Sequence, residues 1–270
     1  MAVTIGFIGT GNMGGAIVKG LAAYTERFEI HIYDINSPLT KGLSKKYPVR
    51  CSESLAELVK QCDVIIAAVK PQYMKGVLKE CGQVMDASKL FITVAAGLPI
   101  RFYLKNLGED KKIVRTMPNM PALVGEGMTI ISYGEHVNPE ERQLAEDIFK
   151  CVGRVEVLDE KMMNEVIALT GSSPAYVYML IEAMADAAVW AGLPRSICYR
   201  MASQAVLGSA KMVLETGKHP AELKDMVCSP AGTTIDAVAA LERKGFRDCI
   251  ITAMNECTEK AREIGRGTDP

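Results

Sequence analysis

Short apolar runs alternate with amphipathic stretches along the first part of the chain, whereas helical spacing alone governs the rest. Val3–Ile8 is an apolar run closed by Gly9, and Asn12–Ala23 follows with apolar positions at helical intervals. Glu29–Tyr33 reads as a second strand and Pro38–Tyr47 as a helix. Asp63–Val69 is almost continuously apolar, the pattern of a strand covered on both faces of a parallel sheet. Leu90–Ala95, Lys112–Arg115 and Met128–Ser132 supply further strands. Alternation at these lengths predicts right-handed crossovers and a doubly wound sheet.

After about Glu160 the strand pattern stops and Ala-, Met- and Leu-rich helical patterns take over. Pro174 suits the first turn of a helix running to Ala191, where Gly192 stops it; Pro194 then begins the next. Arg195–Thr216, Thr233–Glu242 and Phe246–Ile264 are the remaining predicted helices. The Pro174–Ala191 segment carries Tyr176, Val177, Met179, Leu180, Ile181, Met184, Val189 and Trp190, so it is apolar on more than one face. Such a helix must be buried. The 110 residues from 161 to 270 are too few to hide it easily, so a second copy of the chain is expected to cover it.

The chemistry begins at the first strand's end. Ile8 leads into Gly9-Thr10-Gly11-Asn12-Met13-Gly14, a turn that opens directly into a helix. Gly9 permits the tight turn, Gly11 lets backbone approach a pyrophosphate, and Gly14 lets helix and strand pack closely. Asp34, 20 positions after Gly14, can accept hydrogen bonds from an adenosine ribose, which favours NADH. Asn36 and Ser37 just beyond it can instead donate to a 2′-phosphate, which favours NADPH, so both cofactors remain open. Ala68-Val69-Lys70-Pro71 follows the Asp63–Val69 strand at the edge where ligands of open α/β sheets bind. Lys70 either meets phosphate or ribose there or sits in solvent. Ala95-Ala96-Gly97 leaves room for a nicotinamide ring, although a tight turn explains it equally well. The expected fold class is α/β: a Rossmann-like dinucleotide-binding domain over 1–160, then an all-α dimerisation domain over 161–270.

Composition narrows the function classes. With 49 % hydrophobic and 23 % charged residues the chain is that of a globular protein, not a disordered one. A net charge of −1 without a Lys/Arg run argues against nucleic acid and against a polybasic membrane surface. The eight cysteines contain no C-x-x-C pair and no His at metal-ligand spacing, so free thiols in a reducing cytosol and no metal are expected. Pro174–Leu193 comes nearest to a membrane span, but Glu182 and Asp186 interrupt it. Met1 runs straight into a strand pattern with no signal-peptide pattern, and the expected location is cytoplasmic.

Three more segments complete a spaced set: Arg115-Thr-Met-Pro118-Asn119-Met-Pro121, Gly171-Ser172-Ser173-Pro174-Ala175-Tyr176, and Leu223-Lys224-Asp225 running to Ser229-Pro230-Ala231-Gly232-Thr233-Thr234. With GFIGTGNMG and AAVKPQ, the chain resembles the pyrroline-5-carboxylate reductase family from about Ile5 to about Glu263. The resemblance implies reduction of Δ1-pyrroline-5-carboxylate to L-proline by NADPH or NADH, in a homo-oligomer of interlocked dimers. It further implies that Ser229, Ala231, Gly232, Thr233 and Thr234 hold the substrate carboxylate through backbone N–H groups. Thr234 would face the ring nitrogen as the catalytic hydroxyl. Ser172 and Ser173 would line the substrate pocket, and Asn119 would lie on the cofactor side. Four positions depart from the family pattern: Ala231 for Gly, Met120 for Thr, Thr170 for Ser, and an acid at Asp34. A methyl at Ala231 matters if the loop needs φ > 0.

Two rivals share the layout. A β-hydroxyacid dehydrogenase needs a base, usually a Lys on the first helix of its second domain, and Pro174–Ala191 contains no Lys. A non-catalytic dinucleotide sensor would bind cofactor without turnover. His31, His136 and His219 sit in no motif that asks for acid–base work, and Cys228 beside the loop is expected to pack.

Overall fold

The computed structural model describes residues 2–267, with side chains as far as Glu263. The chain runs β1 (Val3–Ile8), α1 (Asn12–Leu21), β2 (Phe28–Tyr33), α2 (Ser37–Ser44), β3 (Val49–Cys51), α3 (Leu55–Gln61), β4 (Val64–Ala67) and α4 (Pro71–Cys81). It continues through β5 (Leu90–Thr93), α5 (Ile100–Leu107), β6 (Lys112–Met117), β7 (Gly127–Tyr133), α6 (Pro139–Lys150) and β8 (Gly153–Val157). Helices α7 (Ser173–Trp190), α8 (Arg195–Thr216), α9 (Pro220–Val227), α10 (Thr233–Arg243) and α11 (Phe246–Gly267) follow.

The strands form one sheet in the order β3-β2-β1-β4-β5-β6-β7-β8. The first six pair in parallel, and their order reverses between β1 and β4, the position where open α/β sheets bind ligands. The side chains of β4 divide between two cores: Val64 and Ile66 pack with Ile5, Phe7, Ile17 and Phe149, while Ile65 and Ala67 pack with Leu58, Leu78, Phe91 and Tyr103. Two-sided burial is why this segment reads as continuously apolar.

β7 departs from the parallel pattern and runs antiparallel to β6. The linker 118–126 is too short for a parallel crossover, which needs a dozen or more residues. The sequence pattern also passed over the strands β3 and β8 and the helices α3, α4, α5, α6 and α9. The two strands are short and lie at the sheet edges, so each has only one neighbour to impose a pattern. At β8, a Cβ on Gly153 would lie 2.0 Å from the Gly127 oxygen, so glycine permits this close pairing.

The chain divides into two compact units. One holds the chain up to Ser172 and again from Cys257; the other is Ser173–Glu256. The division falls at Ser172 rather than Glu160 because the intervening segment packs on the sheet. Met163 and Val166 are buried with Met117 and Ile130, and the Asn119 amide donates to the Thr170 carbonyl at 2.9 Å. Within the second unit, α7 buries only Ala185, and Trp190 is 94 % exposed. Among the described residues no helix is long and apolar enough to cross a membrane.

Candidate active site

The glycine turn is built by β1, β2 and β4 together. The Gly9 N–H donates to the Tyr33 carbonyl and the Ala68 N–H to the Ile8 carbonyl, at 2.9 and 2.8 Å. Gly9 adopts φ +92°, and a Cβ there would lie 2.8 Å from the Ala68 oxygen. A Cβ on Gly14 would lie 2.3 Å from the Gly9 oxygen, whereas one on Gly11 would meet nothing within 4 Å. The turn is thus tight behind and open in front. α1 starts at this opening with no side-chain cap and no acid in its first turn, leaving its N-terminal N–H groups for a ligand.

A cavity of about 570 Å³ lies against the turn. Ile8, Gly9 and Gly11 line it from β1, Asp34 and Asn36 from the end of β2, and Ala68, Val69 and Lys70 from the end of β4. Sequence reasoning missed the apolar part of the wall, which includes Ile35, Leu39, Leu55, Tyr73 and Val77. The available signal was an isoleucine and a tyrosine in loop-adjacent positions; they are 90 % and 59 % exposed. An apolar wall beside open amides and a glycine cradle fits a dinucleotide, with its flat base on the former and its phosphates on the latter.

The other expected cofactor residues lie outside that lining. Thr10 is buried, and both its N–H and its hydroxyl donate to Asp34. Asn12 and Met13 open α1, with Asn12 exposed and Met13 packed on the core. Ser37 and Pro71 are the first residues of α2 and α4. Ala95, Ala96 and Gly97 follow β5, where the Ala95 N–H donates to the Thr93 hydroxyl at 3.2 Å and Gly97 turns the chain at φ +82°. Asn119 braces the sheet: besides its bond to Thr170, its Oδ1 accepts the Met128 N–H at 2.9 Å.

The expected substrate residues belong to the second unit, except Ser172. Gly232 donates its N–H to the Ser229 carbonyl at 3.1 Å, closing a turn cornered by Pro230 and Ala231. Gly232 caps α10, and a Cβ on it would lie 2.2 Å from the Ser229 hydroxyl. Thr233 and Thr234 are the first residues of α10, which has no side-chain cap. This N-terminus can hold a carboxylate. Ser172 follows a π-helical turn over Ile167–Gly171, and its hydroxyl accepts the Cys257 thiol at 3.2 Å; Ser173 opens α7.

Ala231 is the one non-glycine among the described residues with positive φ, at 54°. The methyl is therefore strained, as the departure from glycine at this position suggested. A left-handed L-residue costs roughly 1–2 kcal/mol, partly offset by glycine's greater loss of entropy. Ala231→Gly is expected to stabilise the protein by about 0.5–1 kcal/mol, read as a higher Tm. A lower Tm would show that the loop does not hold this conformation.

All eight cysteines are free, and burial pushes Cys62 and Cys81 up to about 12, which makes them poor nucleophiles.

Two family models match the chain. One describes pyrroline-5-carboxylate reductase dimerisation and covers residues 160–264; the other describes a coenzyme F420-dependent NADP oxidoreductase and covers residues 4–97. Pyrroline-5-carboxylate reductase of Escherichia coli is 47 % identical, over 98 % of this chain and all of its own length. The Coxiella burnetii pyrroline-5-carboxylate reductase structure superposes with TM-score 0.91 at 33 % identity, covering 98 % of this chain and 99 % of the other. A Plasmodium falciparum pyrroline carboxylate reductase structure with NADP bound gives 0.85 at 33 % identity, covering 97 % and 98 %. Similarity of this extent, running through both units from the glycine turn to the last helix, makes the chain a member of the pyrroline-5-carboxylate reductase family.

Proposed function

We propose that this chain reduces Δ1-pyrroline-5-carboxylate to L-proline, the last step of proline biosynthesis, using a reduced nicotinamide dinucleotide. The observation that carries the reading is the glycine turn opening on a dinucleotide-sized cavity at the sheet's switch point, in a chain matched end to end by reductases named for this substrate.

When bound, the reduced nicotinamide supplies a hydride to the C=N carbon. The substrate imine is electrophilic once protonated, and hydride addition converts it directly to a neutral amine. No strong general acid is needed at the reacting atom. The chain's task is orientation and exclusion of water. The open N-terminus of α10 holds the substrate carboxylate through the backbone N–H groups of Thr233 and Thr234, beside the Ser229–Gly232 turn. The Thr234 hydroxyl hydrogen-bonds the ring nitrogen and fixes its orientation.

Thr234→Val is expected to lower kcat about tenfold, corresponding to about 1–2 kcal/mol, while Thr234→Ser retains most activity. An unchanged kcat would reduce Thr234 to a structural residue. The assay follows absorbance of the reduced cofactor with pyrroline-5-carboxylate, and in reverse with L-proline at high pH. Oxidation of a hydroxyacid with a blank proline trace favours the dehydrogenase rival; binding without turnover favours the sensor.

The working form in this reading is a homodimer with interlocked helical domains, in the reducing cytoplasm. Its support is α7: Tyr178, Met179 and Trp190 are exposed in a single chain, an apolar surface that a second copy is suited to cover.

A further inference from the structure

We infer that Asp34 makes this chain select NADH over NADPH, an inference that rests on reading the cavity beside the glycine turn as the dinucleotide site. In sequence, Asp34 points to a free ribose and Asn36 and Ser37 to a 2′-phosphate. The hydrogen bonds of Asp34 favour the first of these. Asp34 Oδ2 accepts the Thr10 N–H at 2.6 Å and the Thr10 hydroxyl at 3.1 Å, and Oδ1 accepts the Asn36 N–H at 2.9 Å.

Three consequences follow from that geometry. First, the carboxylate is held from the rear by Thr10, itself only 4 % exposed, so it cannot swing away from an incoming phosphate. Second, the Asn36 N–H is already engaged by Asp34. The N-terminus of α2 favours an anion, and Asp34 is the resident one. Third, an ionised carboxylate has about four acceptor positions, of which three are filled, leaving one on Oδ1 for a ribose hydroxyl.

The surrounding charge acts in the same direction. Of the described residues lining the cavity, Asp34 and Glu80 are acidic and Lys70 is the single base. A 2′-phosphate brings a charge of about −1.5 to −2 at neutral pH, as phosphomonoesters do, to a wall already negative on balance. NADH brings only a hydroxyl to that edge.

The test is a titration of the purified protein with NADH and with NADPH, read by fluorescence of the reduced nicotinamide. NADH is expected to bind at least about tenfold more tightly, a difference of about 1.4 kcal/mol. Asp34→Ser and Asp34→Asn are each expected to move the ratio of the two Kd values toward NADPH by about tenfold or more. Thr10→Val removes one hydrogen bond but keeps the charge, and is expected to retain the NADH preference. The ratio separates selection from bracing, because a residue that only braced the turn would weaken both cofactors equally. An unchanged ratio in the Asp34 variants overturns the inference, as does tighter NADPH binding by the unaltered protein. Selective NADH binding by a protein that reduces no pyrroline-5-carboxylate supports the inference and removes the proposed activity. Binding of neither cofactor removes both.

Discussion

Gly14→Ala is expected to weaken dinucleotide binding at least about 100-fold and to lower Tm by several degrees. A methyl there would lie 2.3 Å from the Gly9 oxygen and 3.1 Å from the Ala68 Cβ. The first of these is a backbone atom in the turn itself, and no side-chain rotation relieves the clash. Either α1 moves off β1 or the turn deforms, and both displace the N–H groups that face the cavity. Overpacking of this kind typically costs 1–3 kcal/mol in stability. The larger effect falls on binding, because helix-terminal amides act only at hydrogen-bonding distance. Gly11→Ala is the informative partner. Its new Cβ would meet nothing within 4 Å, so the fold should tolerate it and Tm should hold. Gly11 lines the cavity, and the methyl should still weaken the cofactor. Unimpaired binding by Gly14→Ala would remove the argument that helix–strand closeness creates the site.

Arg115→Met is expected to destabilise the first unit by about 2–3 kcal/mol. Arg115 is 3 % exposed; its guanidinium donates to Glu160 Oε1 and to Asn164 Oδ1, each at 3.2 Å. The same Glu160 oxygen accepts the Ile100 N–H at 2.5 Å, so one carboxylate joins β6, α5 and the segment leading toward α7. Removing one partner of a buried pair costs about 3–5 kcal/mol, chiefly because the other charge is left without compensation. The Glu160 side chain is 33 % exposed and partly solvated, which lowers the expected figure. Arg115→Lys should recover only part of the loss, since an ammonium cannot serve two acceptors with a planar fork. Urea unfolding of the three proteins checks this; a methionine variant within about 0.5 kcal/mol of the parent would show that the network contributes little.

Gly14 and Arg115 differ in the range over which they act. Strand, glycine turn and helix lie within Val3–Leu21, and the closest neighbour of a Cβ on Gly14 is the Gly9 oxygen in that same segment, whereas Gly9 is confined by Ala68 and Val69 just beyond β4. Local geometry of this kind is written in local sequence. So is the two-sided burial of β4, and so is the excess of apolar surface on α7. Ala231 is an intermediate case. The motif indicated that the position wants glycine, but only the folded loop showed φ at 54°.

Residues acting across long separations were not legible in this way. Asp34 reads as a ribose ligand, but only the fold shows that Thr10, 24 positions earlier, donates to it twice and holds the carboxylate in place. Asn119 reads as a cofactor residue, and nothing in the local sequence shows that its amide joins Thr170 to Met128. The segment between Glu160 and Ser172 carries helical composition but packs on the sheet through Met163 and Val166.

By itself, then, the amino-acid order determined the alternating α/β half, the glycine turn, the helical half and the apolar excess of α7. Each follows from periodicity or from a motif written within a few consecutive residues. Tertiary structure alone decided that β7 runs antiparallel, that the first unit extends to Ser172 and resumes at Cys257, and which donors the Asp34 carboxylate accepts. These depend on which distant groups meet: a hydrogen bond or a strand pairing has two partners, and a one-dimensional pattern displays only one at a time.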